Sequence, residues 1–310
     1  MAAKPRNKVL DALTYIALRL TSMVFHWFPI DVNLRTARMF GAVWNYFDQR
    51  HHARAVANLQ RCFPEFTEAQ CNVLARKSVQ AMFMLGVEML HTTRLIRVET
   101  WRKYVEIENF HETLELLMDR KQGLIMLTGH YGNWEILGYV LATLGFESTA
   151  VARPLDNPYI SDWVFGVRER QGQRIVGKKG ATTEITGLLN SGGVVCFVAD
   201  QNAGSKGLFV DFFGRKASTY KSIGLLAMQY EAPVLIGYAR RVDGRFRFKV
   251  SVQDIIFPAD WKDQPDPLVY ITQRYTKAIE DVIRLDPSQY LWVHRRWKSR
   301  PKGEQPLKYD

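Results

Sequence analysis

Two glycine-bounded apolar runs constrain this chain more than any other feature. Gly123-Leu-Ile-Met-Leu-Thr128 and Gly193-Val-Val-Cys-Phe-Val-Ala199 are continuous rather than alternating, the pattern of strands buried on both faces. Around them the periodicity switches repeatedly. Residues 134–144, 161–171, 182–190, 220–230 and 268–285 read as helices, and 147–152, 175–176, 234–240 and 245–252 as strands. Strands alternating with helices predict an α/β fold, with a mainly parallel central sheet covered by helices. Residues 36–99 read as helices broken at Pro64, with Thr67-Glu-Ala-Gln70 as a capping box and Met82, Leu85, Met89 and Leu90 as an apolar stripe. No repeat, low-complexity stretch or linker marks a boundary. The expected organisation is therefore a membrane-associating N-terminal helix over 1–35 and a single α/β domain over 36–310.

The N-terminal segment is expected to meet a membrane. Lys4, Arg6 and Lys8 precede a mostly apolar stretch from Ala12 to Ile30, interrupted by Arg19 and His26. A spanning helix needs about 20 predominantly apolar residues, and an arginine at its centre costs at least a few kcal/mol. Leu13, Ile16, Ala17, Leu20, Val24 and Trp27 fall at helical spacing, with Arg19 off that face. The pattern fits an interfacial anchor or a strained single span, and a buried amphipathic helix of a soluble fold shares it. Trp27, Phe28 and Trp44 are aromatics of the kind that settle at headgroup depth. No small-residue cleavage site follows, so a removable signal peptide is not expected.

Charge narrows the partners without choosing among them. Lys and Arg number 42 against 31 Asp and Glu, a formal charge of +11. Such a surplus favours anionic partners: nucleic acid, a lipid headgroup surface or an acidic carrier protein. It gathers in Arg168, Arg170, Arg174, Lys178 and Lys179, and again in Arg295, Arg296, Lys298, Arg300 and Lys302, with Trp292 and Trp297 beside the second cluster. No RNA-recognition signature accompanies it. Cys62, Cys71 and Cys196 are too few and too irregular for a disulfide framework or a zinc site, and no metal or organic cofactor is expected. The near P-loop at Gly172 to Lys179 lacks the Ser or Thr that would hold magnesium. There is no G-x-S-x-G nucleophile elbow, and His51-His52 lies in a basic, solvated helix.

The chemistry concentrates in Leu127-Thr-Gly-His130-Tyr-Gly-Asn133-Trp-Glu135-Ile. His130 follows a buried strand by two residues, at the carboxyl edge where open α/β sheets bind ligands. Glu135 falls in the first turn of the next helix. A carboxylate accepting one imidazole N–H fixes the tautomer, and the other nitrogen then takes a proton from a hydroxyl. No serine belongs to this pattern, so the substrate has to bring the hydroxyl. Arg153 and Asp200 follow two further strands in the same way. Arg153 suits a phosphate or a developing oxyanion, and first-turn amides near Asn133 suit the oxyanion as well. Asp200 competes with Glu135 as the partner of His130, and spacing does not choose between them.

These residues carry a resemblance. His130-Tyr-Gly-Asn133-Trp134-Glu135, Arg153-Pro154, Asp200-Gln201, Phe212-Phe213-Gly214 and Gln289 to Lys298, in that order, resemble the bacterial lipid A biosynthesis lauroyl/myristoyl acyltransferases of the lysophospholipid acyltransferase superfamily. The resemblance implies an inner-membrane enzyme on the cytoplasmic side. It would move a fatty acyl chain from acyl carrier protein, or from acyl-CoA, to a hydroxyl of a lipid A precursor or related glycolipid. It implies His130 as general base with Glu135 as its partner, and Asn133, Arg153 and Asp200 at the substrate or oxyanion. Arg295, Arg296, Trp297 and Lys298 are expected at the headgroup and membrane, and the acyl chain among the helices before Glu99. A lysophospholipid, aminolipid or mannoside acceptor keeps the same chemistry, and a non-catalytic lipid-binding protein on the same fold is the alternative of another class. Nucleic acid is not an expected partner.

Overall fold

The apolar runs do form the middle of a sheet. A computed structural model of the chain describes residues 7–152, 154–170, 172–177, 181–306 and 308–309. The elements run α1 (Lys8–Trp27), α2 (Ile30–Phe47), α3 (Gln49–Cys62), α4 (Glu68–Leu95), β1 (Val105–Glu108), α5 (His111–Asp119), β2 (Leu124–Thr128), α6 (Trp134–Thr143), β3 (Ser148–Ala152), α7 (Pro158–Glu169), β4 (Gln173–Gly177), α8 (Ala181–Asn190), β5 (Val194–Val198), β6 (Leu208–Phe212), β7 (Arg215–Thr219), α9 (Lys221–Tyr230), β8 (Val234–Arg241), β9 (Phe248–Ile256), α10 (Pro258–Trp261) and α11 (Pro267–Leu285). Among the described residues, seven strands form one sheet in the order β1-β9-β8-β2-β5-β3-β4. Every neighbouring pair is parallel except β8–β9, which is antiparallel. The sheet is mainly parallel, as expected, and its one antiparallel pair arises because a direct turn from β8 into β9 can only reverse direction.

One face of the sheet, with Ile125, Leu127, Val195 and Ile236, packs on Ile271, Tyr275 and Ile279 of α11 and Ile223 of α9. The other face is covered by α5 and α6, where Leu117 and Leu141 meet Leu124, Val194 and Leu235. The sequence reading did not place α5, the β6–β7 hairpin or the short α10. The hairpin turns at Phe213 (φ 54°) and Gly214 (φ 70°). Positive φ at both central residues suits the twist of a tight hairpin. The Phe213 ring is held between Phe63 and Trp292.

The N-terminal helices do two separate things. The capping box is present: Thr67 accepts from the Gln70 amide while the Gln70 side chain accepts from the Thr67 amide. α2 crosses α4 closely, since a Cβ at Gly41 would stand 2.8 Å from the Cα of Gln80. Residue 35, the expected boundary, falls inside α2. α3 and α4 then grip the C-terminal segment 290–294. Ser78 donates to the Tyr290 carbonyl and accepts from the Trp292 amide at 3.3 Å, and Asn58 donates to the Trp292 carbonyl at 2.9 Å.

α1 behaves differently. Its window of highest hydropathy is only 6% buried. Leu13, Ile16, Leu20, Val24 and Trp27 are all exposed, and Met39, Phe40, Trp44 and Phe47 of α2 join them. A buried helix of a soluble fold does not describe this segment. α1 is long and apolar enough to cross a membrane by length and composition. It touches α7, where Asn157 donates to the Asp11 carbonyl at 2.8 Å and the Arg19 guanidinium lies 5.6 Å from the Trp163 ring centre.

Candidate active site

The register of two neighbouring strands builds the centre of the site. β2 and β5 run parallel with Thr128 opposite Val198, and the Ala199 amide donates to the Thr128 carbonyl at 2.8 Å. Two residues beyond each strand, His130 and Asp200 therefore meet. The imidazole Nδ1–H donates to Asp200 Oδ1 at 2.7 Å, and the His130 amide donates to Oδ2 at 2.9 Å. The carboxylate is fully buried and the imidazole largely so, at 0% and 16% side-chain exposure. Both oxygens of Asp200 fix one ring orientation and leave Nε2 as the reactive nitrogen.

The turn that carries His130 is satisfied by other strands and by the chain's end. The Tyr131 amide donates to the Gly129 carbonyl, the Gly132 amide to the Gln289 carbonyl and the Asn133 amide to the Ala239 carbonyl, while the His130 carbonyl accepts from the Leu291 amide at 3.0 Å. Gly132 has φ 57°, and a Cβ there would stand 2.0 Å from the Ala239 oxygen. No other residue fits that position.

Glu135 is not the partner of His130. It sits in the first turn of α6 with its carboxylate held by Arg168 of α7 through two bonds of 2.7 and 2.6 Å, and by the Trp134 indole N–H at 3.0 Å. The Trp134 ring lies 4.9 Å from that of His130. Glu135 therefore acts on the imidazole only through its charge.

Asn133 departs from its expected place at the oxyanion too. Its side chain caps α6 by accepting from the Ile136 amide at 3.2 Å and donates to Glu88 at 2.9 Å, in full burial. Glu88 in turn holds Arg241 through both oxygens, one bond at 2.7 Å. Sequence reasoning missed this pair, because a lone Glu inside an apolar helix and an Arg at a strand end give no sign of meeting.

The expected headgroup residues divide. Arg296 and Trp297 are buried, at 2% and 3% exposure, as is Trp292. The Arg296 guanidinium donates to the Ser218 carbonyl at 2.5 Å, the Gln201 carbonyl at 3.3 Å and the Thr219 hydroxyl at 2.6 Å. It is consumed inside the fold, where carbonyls rather than anions satisfy it. Arg295 and Lys298 are exposed. Arg153, Lys178 and Lys179 lie outside the described residues.

Electrostatics follow from the geometry. Burial works against a charged His130, but the Asp200 carboxylate, by its charge and its hydrogen bond, outweighs burial and raises the imidazole above its ordinary value. Burial likewise works against a charged Asp200, and the facing His130 overcomes it, holding the carboxyl well below the usual range. A second histidine, His294, places its ring 4.5 Å from that of His130, nearly edge to face. His130, Asp200 and His294 offer ligand atoms within 4.8 Å of one another, a composition that suits a metal. Each oxygen of Asp200 nonetheless accepts an N–H of His130, so this carboxylate serves to orient that ring, and the set fits an oriented base better than a coordination sphere.

Next to the Trp134 ring that packs on His130, an apolar cavity of about 120 Å³ runs between α6 and the sheet. Trp134, Glu135 and Arg168 mark one end, and Met126, Cys196 and Leu235 are among the strand residues along it. It explains why Met126 and Cys196, in central strands, keep some accessible surface. No residue of the helices before Glu99 lines it, contrary to the expectation for an acyl groove there.

Among the described residues no serine or cysteine hydrogen-bonds His130. An oriented imidazole of this kind can take a proton from a hydroxyl that the substrate brings. The chain belongs to the bacterial lipid A biosynthesis acyltransferase family, whose model matches residues 3–299. It is 28% identical to a lipid A biosynthesis acyltransferase of Haemophilus influenzae over 91% of this chain and 89% of that protein. It is also 28% identical to the lipid A biosynthesis palmitoleoyltransferase of Escherichia coli (strain K12), over 90% and 89% of the two chains. Identity to the lauroyltransferase of the same organism is 26% over 94% and 93%. The protein is an acyltransferase.

Proposed function

We propose that the protein transfers a fatty acyl chain from a thioester donor, acyl carrier protein or acyl-CoA, to a hydroxyl of a lipid A precursor at the cytoplasmic face of the inner membrane. The observation that carries this reading is the His130–Asp200 dyad at the carboxyl ends of β2 and β5, with Trp134 between it and an apolar cavity, and with no serine or cysteine on His130 among the described residues. The acceptor hydroxyl gives its proton to His130 Nε2 as its oxygen forms a bond to the thioester carbonyl carbon. The tetrahedral intermediate then collapses, the carbon–sulfur bond breaks, and the leaving thiolate recovers the proton from the imidazolium. Asp200 stabilises that imidazolium, and general-base help of this kind contributes roughly 10²–10⁴ in rate. The cavity beneath α6 takes the acyl chain.

The names of the relatives support the acceptor, and the exposed apolar faces of α1 and α2 support the membrane. The test supplies purified protein with acyl carrier protein thioester, acyl-CoA, and either lipid A precursor or lysophospholipid in mixed micelles. Transfer to the lipid A precursor, lost in His130→Ala, is the expected result. Transfer to lysophospholipid alone moves the acceptor to another branch. A His130→Ala variant as active as the wild type removes the base from the mechanism and favours a lipid-binding role.

A further inference from the structure

His294 is a titratable group at the dyad that the mechanism above leaves unused. Its backbone is held firmly. The His294 amide donates to the Leu291 carbonyl at 3.2 Å, and its carbonyl accepts from Asn58 at 3.2 Å. Next to it, Arg54 donates to the Val293 carbonyl at 3.3 Å. The ring is thus delivered against His130 by helix α3, yet it makes no hydrogen bond of its own among the described residues. Nδ1 is buried without a partner.

A proton on Nδ1 would be buried with no acceptor, so the tautomer with the ring proton on Nε2 is the favoured one. Burial, and after it the charge that His130 takes up, push the His294 pKa down to about 4. The ring stays neutral at pH 7 before and after His130 is protonated. Such a group is a permanent donor that never competes for the transferred proton. The site has an opening for one, since the side chain and backbone amide of Asn133 are already engaged inside the fold.

We infer that His294 is a second catalytic residue, donating Nε2–H to the thioester carbonyl oxygen as it becomes the oxyanion beside His130. The inference rests on the acyl-transfer reading. Polarising that oxygen and relieving the base of its proton are then tasks of two adjacent rings with different charge habits. The donor acts on the transition state, so its loss lowers kcat and leaves KM for the acyl donor nearly unchanged.

The experiment compares His294→Phe, His294→Gln and His294→Asn in the full chain, in the transfer assay with acyl carrier protein thioester. Phe keeps the edge-to-face packing on His130 without a donor. Gln places an amide N–H near the position of Nε2, and Asn near that of Nδ1. Expected are a kcat about 10²–10³-fold lower for His294→Phe, the size of losing one oxyanion donor, and recovery of about tenfold or more in His294→Gln but not in His294→Asn. An unchanged thermal midpoint separates these losses from misfolding. If Phe destabilises the chain, the contrast between Gln and Asn carries the test. His294→Phe within about threefold of wild type, or Gln and Asn equally inactive, overturns the inference. His130→Ala run in parallel keeps the two readings apart. Its inactivity beside an active His294→Phe would sink only the role of His294, whereas an active His130→Ala would sink the acyl-transfer mechanism itself.

Discussion

Asp200 decides when His130 is a base. Because the carboxylate outweighs burial, the imidazole titrates above its ordinary value of 6.5. A base has to be deprotonated in the free enzyme, so kcat/KM rises with pH through a midpoint above 6.5. Asp200→Asn removes the raising influence and leaves burial, which lowers the pKa. The midpoint should therefore move below that of the wild type, while the plateau falls about 10²–10⁴-fold. Glu135→Gln should move the midpoint far less, because Glu135 reaches the imidazole only through its charge. A pH–rate profile of both variants checks this, and equal shifts would contradict the pairing. At this scale the sequence singles out His130, and with it both carboxylates, but not which of them is the partner. That choice depends on β2 lying beside β5 in register, a fact that no spacing within 130–135 contains. Arg296 and Trp297 were misplaced for a related reason. A basic, aromatic cluster looks the same whether its guanidinium faces phosphate or, as here, buried carbonyls.

Helices and strands set the second scale, where the site depends on how α4, β8 and α6 are tied together. Glu88 bridges the Asn133 cap and Arg241, all three deeply buried. Removing one partner of a buried ion pair leaves an uncompensated charge and costs about 3–5 kcal/mol. Glu88→Ala should lose about that much, read by denaturant unfolding. Gly132→Ala should be as visible in a different way. Its Cβ meets the Ala239 oxygen at 2.0 Å in a left-handed turn, so the turn shifts and His130 leaves Asp200. The expected result is a loss of at least ~2 kcal/mol in stability together with most of the activity. A Gly132→Ala enzyme with normal turnover would mean that the turn tolerates movement. The central strands and the helices around them were legible because apolar runs and helical spacing report burial directly. The hairpin was not, since neither strand alternates cleanly in sequence, Leu208-Phe-Val210 running apolar and Arg215 to Thr219 mostly polar, and its turn lacks the usual Asn-Gly or Asp-Gly.

The whole molecule presents one strongly apolar flank, formed by α1 and the outer face of α2. Each such side chain, fully transferred from water into lipid, contributes about 1.5–3 kcal/mol. Replacing Leu13, Ile16 and Leu20 with serine should weaken co-flotation with anionic vesicles while leaving turnover on a detergent-solubilised acceptor largely intact. Undiminished flotation would place the membrane contact elsewhere. The sequence favoured a membrane segment here, with a core helix as the competing reading. The exposure of Leu13, Ile16, Leu20, Val24 and Trp27, which argues against the core helix, is a fact that no spacing contains.

The grip of α3 and α4 on residues 290–294 has a consequence for biosynthesis. His130 and Asp200 are translated before residues 289–294, yet the turn between β2 and α6 finds its partners Gln289 and Leu291 only there. Ser78 and Asn58, made earlier still, wait for the same stretch. A nascent chain whose residues 289–294 have not yet left the exit tunnel holds the dyad's residues but not the clasp that sets them. Catalytic geometry is therefore completed by a late folding step, separate in time from the synthesis of the residues that do the chemistry.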